Sequence, residues 1–393
     1  MRREHARVFT GMRESAGRVY WTAFVGLLFD YYDLYLFVYL DRVLAAAFEM
    51  SDTQRDWSQF IGLAGVGFGS LFFGYLADRL GRRRMLIVVF AVYLVGIAGL
   101  ALSWSTGSLL FFRLAASMAL GGEWGISHTY MAENLGRKRR YLFSAFLQFS
   151  ILGGLLAWGM KEYALPAVGW RGLFALSLIP VAILSALRYR SLNLAGEGRR
   201  NTGSFIRVLV RSRRAFMTCF LLAALSIASG TVNIFVAKEL PQSPVFTILF
   251  WVNVVPGMLV GAYVVARMGV RRALVFYGVL LAGLSLFALG ADWEYKQYAF
   301  ALSLPLLNGI PFGLMGAFFN EMFGQYRTAL SGAAYNLGRI LGGFAPVLVT
   351  ALALHREGNY YLFSLALGGT VVVVALSMRI SNTMKGSRLD CQF

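Results

Sequence analysis

Charge is scarce in this chain, and so are cysteine, histidine and proline. Charged residues make up 14% of its 393 positions, against ~25% in an ordinary soluble domain. Hydrophobic residues make up 58%, and the mean hydropathy is +0.61. A soluble chain could not hide that much apolar surface, whereas lipid accommodates it. Its two cysteines, Cys219 in an apolar run and Cys391 in the tail, give neither a disulfide framework nor metal-ligand spacing. His5, His128 and His355 each lack a second His or Cys at ligand spacing, so no metal site is expected. His128 reads as a packing or hydrogen-bonding residue rather than a proton carrier. The basic N-terminal residues contain no apolar stretch with a small-residue cleavage site, so no secretory signal peptide is expected. No glycine-rich phosphate loop followed by Lys-Ser/Thr appears, which argues against ATP as the energy source.

What the chain does have is a succession of long apolar runs. Twelve can be traced, at 19–47, 57–77, 85–105, 108–132, 141–165, 169–188, 215–237, 244–266, 273–291, 297–320, 328–353 and 359–380. A helix needs ~20 such residues to cross a bilayer, and an even number of crossings puts both termini on one side. Of the 37 Lys and Arg, 28 lie in the termini and in connections leaving even-numbered spans, and 7 in the opposite connections. The other 2, Arg113 and Arg339, lie well inside spans, while Arg42, Lys161, Arg171, Arg188 and Arg379, near span ends, are counted with the adjoining connections or tail. Positive charge is retained on the cytoplasmic side, so both termini are expected there, in an inner or plasma membrane. The net charge of +18 is then topological. It suits contact with anionic lipid headgroups rather than nucleic acid.

One connection is unusually ordered: Gly74-Tyr-Leu-Ala-Asp78-Arg79-Leu-Gly81-Arg82-Arg83-Arg84. Its arginines are hard to translocate, and Asp78 is a ready partner for one of them or for a helix end. The pattern returns as Arg267-x-Gly269-x-Arg271-Arg272, 188 positions after Arg79-x-Gly81-x-Arg83-Arg84, with Ala266 where Asp78 stands. Glu133 and Glu321 share that offset, and Gly153-Gly154 is echoed by Gly342-Gly343. The chain therefore reads as two related halves of six spans, 1–187 and 215–380. A polar connection at 188–214 separates them, and a tail at 381–393 follows. Parallel repeats of this kind place a substrate site between the halves near the bilayer midplane. The glycines of spans four, five and eleven suit close, sliding helix contacts.

Ionisable and polar groups within the spans carry the functional signal, because a charge at bilayer depth is costly and usually faces a cavity. Asp30 and Asp33 sit at mid-depth in span one on one helix face, and Glu123 at mid-depth in span four. Clustered carboxylates away from water are suited to exchanging protons near neutral pH, so these three are the proton-coupling candidates. The alternative is that they neutralise Arg113 and Arg339. Arg339, with Tyr335 and Asn336 on its face, either binds an anion or holds a fixed ion pair. Tyr31 and Tyr35 are candidates for the cavity wall, and Arg113, Gln148, Asn253 and Asn308 for polar contacts with substrate. Asp30, Asp33, Glu123 and Arg339 are expected to share one cavity. Gly74, Asp78, Arg79, Gly81, Arg82 and Arg83 form the candidate gating loop.

The ordered turn resembles the loop 2–3 signature of the major facilitator superfamily of transporters. Asp30-Tyr-Tyr-Asp33-Leu-Tyr35 is similar to the span-one motif of its metabolite:proton symporter family. Arg113 with Gly121-Gly122-Glu123-Trp-Gly125 and Glu133 resembles that family's span-four motif, and the sialate/monocarboxylate:proton symporter family shares the Gly-Gly-Glu element. Glu321, Arg327, Tyr335-Asn336-Leu-Gly338-Arg339 and Gly342-Gly343 with Pro346 match the end of span ten and span eleven in both families. Two departures stand out: Ser117 where a glycine is usual, and the missing acid in the second loop. The resemblance implies an all-α membrane protein with twelve transmembrane helices in two pseudo-symmetric six-helix bundles. It also implies proton-coupled symport of small organic acids or related metabolites by alternating access, driven by the proton gradient without a cofactor. The protein is expected to be a monomer. Export by antiport uses the same groups and stays open. A membrane enzyme would need a nucleophile–base pair or metal cluster that is not evident, and a sensor or scaffold would need a soluble domain for which residues 381–393 leave no room.

Overall fold

A computed structural model describes residues 2–134, 137–192, 203–238, 240, 243–344 and 359–378. The later part of span eleven with Pro346, the interior of the central connection, His355 and the tail with Cys391 lie outside the described residues, as do the side chains of His5 and Arg83.

Among the described residues there are helices and no strands. Nine of the helices among the described residues are long and apolar enough to cross a membrane, and a bent pair in span one makes a tenth. One of the nine, Arg139–Ile183, runs for 45 residues. It is two passes, because Gly169 adopts φ 67° and ψ 174° and breaks the helix. Arg327–Gly343 is span eleven, 17 residues up to the edge of what is described. These are the twelve transmembrane helices.

Span one departs from its expected limits. It is helical from Arg2 to Tyr39, then turns by 58° into Asp41–Ala47. Span two is Asp52–Leu80, started by a capping box between Ser51 and Gln54. Span three is Arg82–Ala101 and span four Thr106–Asn134. Span five begins at Arg137 and includes a 3₁₀ turn, Phe149–Leu152, and a π turn, Met160–Ala164. Span six continues to Leu192. The central connection is itself partly helical at Phe205–Arg211. Spans seven, nine, ten and twelve are Arg213–Lys238, Val270–Gly290, Lys296–Met322 and Asn359–Ser377. Span eight is Pro244–Val252 continuing as Val254–Met268.

The repeat read from sequence is repeated in the packing. Span one packs on five as seven packs on eleven; two on four as eight on ten; three on six as nine on twelve. Contacts between the halves obey the same relation, with two against eleven matched by eight against five. Gly81 and Gly269 both sit at positive φ, 101° and 83°, just before spans three and nine. A side chain is strained in that conformation, so the two turns need glycine for the same reason.

Candidate functional site

A cavity of about 130 Å³ lies between the halves. Spans one and eleven supply its most distinctive wall. Tyr31 and Tyr35 are one helical turn apart, and so are Tyr335 and Arg339, so each pair projects from one face. The Tyr31 and Tyr335 hydroxyls are 3.2 Å apart, joining the two halves. The Arg339 guanidinium lies 5.3 Å from the Tyr31 ring centre and 5.5 Å from that of Tyr335, within cation–π range. None of the ion pairs among the described residues involves Arg339, and the residue is half-buried at the cavity. Trp251 of span eight meets Tyr35 edge to face at 4.8 Å. Behind Tyr335, Trp124 of span four stacks on it in parallel at 4.0 Å.

The acids of span one point elsewhere. Asp33 is two residues from Tyr31 and Tyr35, about 200° around the helix, and turns into the interior of the N-terminal half. There its carboxylate accepts a hydrogen bond from the Tyr93 hydroxyl of span three and lies within electrostatic reach of Arg113. The Arg113 guanidinium rests over the Phe37 ring at 4.0 Å. It is admitted beside span two by Gly62, where an added Cβ would come within 2.8 Å of it. Asp30 and Glu123 are also buried, and neither lines the cavity. The expectation that the three carboxylates and Arg339 share one cavity is therefore corrected. Common depth does not ensure a common face.

The Asp78 turn closes one end of the molecule. Asp78 is fully buried and holds Arg82 at 3.0 Å, while its other oxygen accepts the backbone N–H of Ala329 at 2.9 Å. Arg82 also pairs with Glu133 at 2.8 Å and donates to the Thr328 hydroxyl at 3.2 Å. Span eleven starts after Tyr326, which is left-handed (φ 48°) and gives no side-chain cap. Asp78 supplies that cap from the opposite half, and its charge suits the positive helix end. Gly74 permits the approach, since a Cβ there would lie 2.8 Å from the Ala329 Cα. Arg79 lies 5.3 Å from the Tyr75 ring centre. At the repeat-related position, Ala266 can offer no such cap. Glu321 instead reaches across to Tyr141 at 2.8 Å and Arg140 at 3.4 Å.

The family model of the Major Facilitator Superfamily matches residues 23–346. The chain belongs to the major facilitator superfamily. It is thus a membrane transporter and not an enzyme. It is 26% identical to the shikimate transporter of Escherichia coli (strain K12) over 90% of this chain and 92% of that protein. It is also 26% identical to the alpha-ketoglutarate permease of the same organism, over 93% of each. Among solved structures it resembles the proton:xylose symporter XylE bound to 6-bromo-6-deoxy-D-glucose, with TM-score 0.71 and 17% identity over 93% of this chain and 95% of that one. The human organic anion transporter MFSD10 gives TM-score 0.64 and 16% identity over 92% and 99%. At those identities the two structures bear on the fold alone.

Within this facilitator, Tyr31, Tyr35, Asn308, Tyr335 and Arg339 are the sequence candidates brought to the cavity. Four others join helices instead. Asn336 donates to the Gly121 carbonyl of span four at 3.5 Å, and Asn253 to the Leu302 carbonyl of span ten at 3.0 Å. Gln148 accepts from Trp124 Nε1 at 3.4 Å and donates to the Phe312 carbonyl at 3.2 Å. Arg113 stays with Asp33 and Phe37. The cavity also uses residues that the sequence reading did not select: Thr231 and Asn233 of span seven, and Phe250 and Trp251 of span eight. Asn233 lies near the C-terminal end of span seven, Arg213–Lys238, so the mid-depth criterion that selected Asn253 and Asn308 passed it over. The aromatic residues carry no such signal in a chain that is 15% aromatic.

Proposed function

We propose that this facilitator is a proton-coupled symporter of small organic acids, working by alternating access in an inner or plasma membrane with both termini cytoplasmic. The observation that carries the reading is Arg339: a guanidinium at an aromatic cavity between the halves, with no carboxylate among the described residues paired to it. Its planar fork suits a carboxylate better than a point charge would. The aromatic neighbours shield that pairing from water and offer flat faces to a compact ligand. The names of the shikimate and alpha-ketoglutarate relatives, both organic acids, favour the same class.

Proton coupling is assigned to Asp33, whose carboxylate accepts from the Tyr93 hydroxyl and lies within electrostatic reach of Arg113. Protonating it removes the attraction that holds Arg113 and the Tyr93 hydroxyl. Tyr31 and Tyr35 ride on the same helix, so a change at Asp33 reaches the cavity through span one, not by direct charge contact. Proton and substrate then bias one conformational equilibrium and are linked through it. In the conformation described, the end bearing Asp78, Arg82, Glu133 and Ala329 is closed. Release on that side requires those contacts to part. The proton gradient supplies the drive without a cofactor, and the transporting unit is the monomer, with its basic connections against lipid headgroups.

Uptake into proteoliposomes under an imposed pH gradient, acid outside, tests the proposal with a panel of labelled carboxylates. Accumulation that requires the gradient and is lost with a protonophore is expected. Gradient-driven efflux of preloaded carboxylate would establish antiport instead, and uptake indifferent to the gradient would remove the proton from the mechanism.

A further inference from the structure

The C-terminal half presents a second set of polar groups to the cavity. Asn308 in span ten is 2% exposed and lines the cavity. Its side-chain oxygen accepts from the Ser229 hydroxyl at 2.8 Å and from the Tyr277 hydroxyl at 2.9 Å. An amide oxygen has two lone pairs, and both are taken. That orientation leaves Nδ2 as the free group of Asn308, and it has no partner among the described residues. Asn233 stands one helical turn beyond Ser229 on span seven, is 3% exposed and lines the same cavity. Its Oδ1 likewise has no partner among the described residues. Buried amide groups are nearly always hydrogen-bonded, so two left open at one cavity call for an explanation.

The two open groups are of opposite sense, one donor and one acceptor. A ligand hydroxyl carries both the acceptor that Asn308 lacks and the donor that Asn233 lacks, whereas a carboxylate carries only the acceptor. Size limits the rest. A cavity of about 130 Å³ is close to the ~150 Å³ void that accommodates a benzene molecule, so the ligand carries about one ring.

We infer that Asn308 and Asn233 form a neutral hydroxyl-recognising subsite complementary to Arg339, and that the transported acid is a compact, one-ring monocarboxylate bearing a hydroxyl. The inference rests on reading the cavity as an organic-acid site and adds its specificity. Ser229 and Tyr277 act as positioning residues, because they hold the Asn308 amide in register. No titration is involved, so the selectivity between hydroxylated and plain ligands is independent of pH wherever both carboxylates are ionised.

Binding of benzoate, 3-hydroxybenzoate and 4-hydroxybenzoate to the purified full-length protein tests this by calorimetry. At least one hydroxybenzoate should bind about tenfold more tightly than benzoate, the range of one or two neutral hydrogen bonds. Asn308→Leu and Asn233→Leu should each bring that ratio close to one. Asn233→Leu disturbs no observed hydrogen bond of Asn308, so it serves if Asn308→Leu fails to fold. A ratio unchanged in a folded variant, or no preference for a hydroxyl in the parent protein, overturns the subsite. The parent reading fails separately: benzoate affinity unaffected by Arg339→Gln, or methyl benzoate bound as tightly as benzoate, would reject the organic-acid site itself.

Discussion

The carboxylate of Asp78, at the end of span two, accepts the backbone N–H of Ala329 at 2.9 Å, in the first turn of span eleven. The two residues are 251 positions apart and belong to different halves. The same carboxylate holds Arg82, which reaches Glu133 and Thr328. A buried ion pair broken at one member costs roughly 3–5 kcal/mol. This cluster is therefore well placed to set the balance between the conformation that is closed here and one that is open here.

Replacing Asp78 by Asn keeps an oxygen for Ala329 but takes away the charge facing Arg82. Transport should slow by about tenfold, which corresponds to about 1.4 kcal/mol, while substrate affinity stays within about twofold. Loss of binding at unchanged expression would instead put Asp78 in the substrate site.

Gly74→Val tests the approach of the helices rather than their charges. The new Cβ would start 2.8 Å from the Ala329 Cα, and such overpacking costs about 1–3 kcal/mol. Closure at this end should be disfavoured, so cysteines placed near the Asp78 turn should react faster in the variant than in the parent. Unchanged reactivity would show that spans two and eleven separate elsewhere.

Asp33→Asn and Arg339 variants divide coupling from binding. Asp33→Asn should abolish accumulation against a gradient and preserve exchange of substrate across the membrane. Arg339→Gln should weaken binding by roughly ten- to a hundredfold, the worth of a charge-assisted hydrogen bond. Arg339→Lys should recover only part of that, because an ammonium cannot form the bidentate fork. If gradient-driven accumulation survives in Asp33→Asn, Asp33 is a structural partner of Arg113 and nothing more.

Topology can be read chemically. Cys219 is buried, so in a Cys391→Ser background single cysteines report their own side of the membrane. Cysteines at Arg84 and in the N-terminal residues should resist an impermeant maleimide in intact cells and react after permeabilisation. Labelling of either in intact cells would invert the orientation.

Much of the architecture was legible because it depends on local chemistry. Long apolar runs must cross lipid, and glycines in the turns before spans three and nine meet a positive φ, which is a local requirement. The 188-residue echo between Arg79 and Arg267 was visible without knowing any contact. The site was legible only in part. Tyr31, Tyr35, Tyr335, Asn308 and Arg339 reach the cavity, while Asn336, Gln148 and Asn253, chosen by the same criteria of polarity and depth, tie helices together. Hydropathy reports depth well and direction poorly.

The amino-acid sequence by itself determined that this protein is a bundle of membrane helices, where its turns fall, and that its two halves are related. Those properties follow from burial of apolar surface and from backbone geometry, both written residue by residue. Tertiary structure alone decided that Asp33 turns to Tyr93 and Arg113 while Tyr31 and Tyr35 turn to Arg339. It also decided that Asp78 caps a helix from the other half and that the Asn308 oxygen is occupied by Ser229 and Tyr277. Each of these depends on which face of one helix meets which face of another, and that is set by packing between segments far apart in the chain.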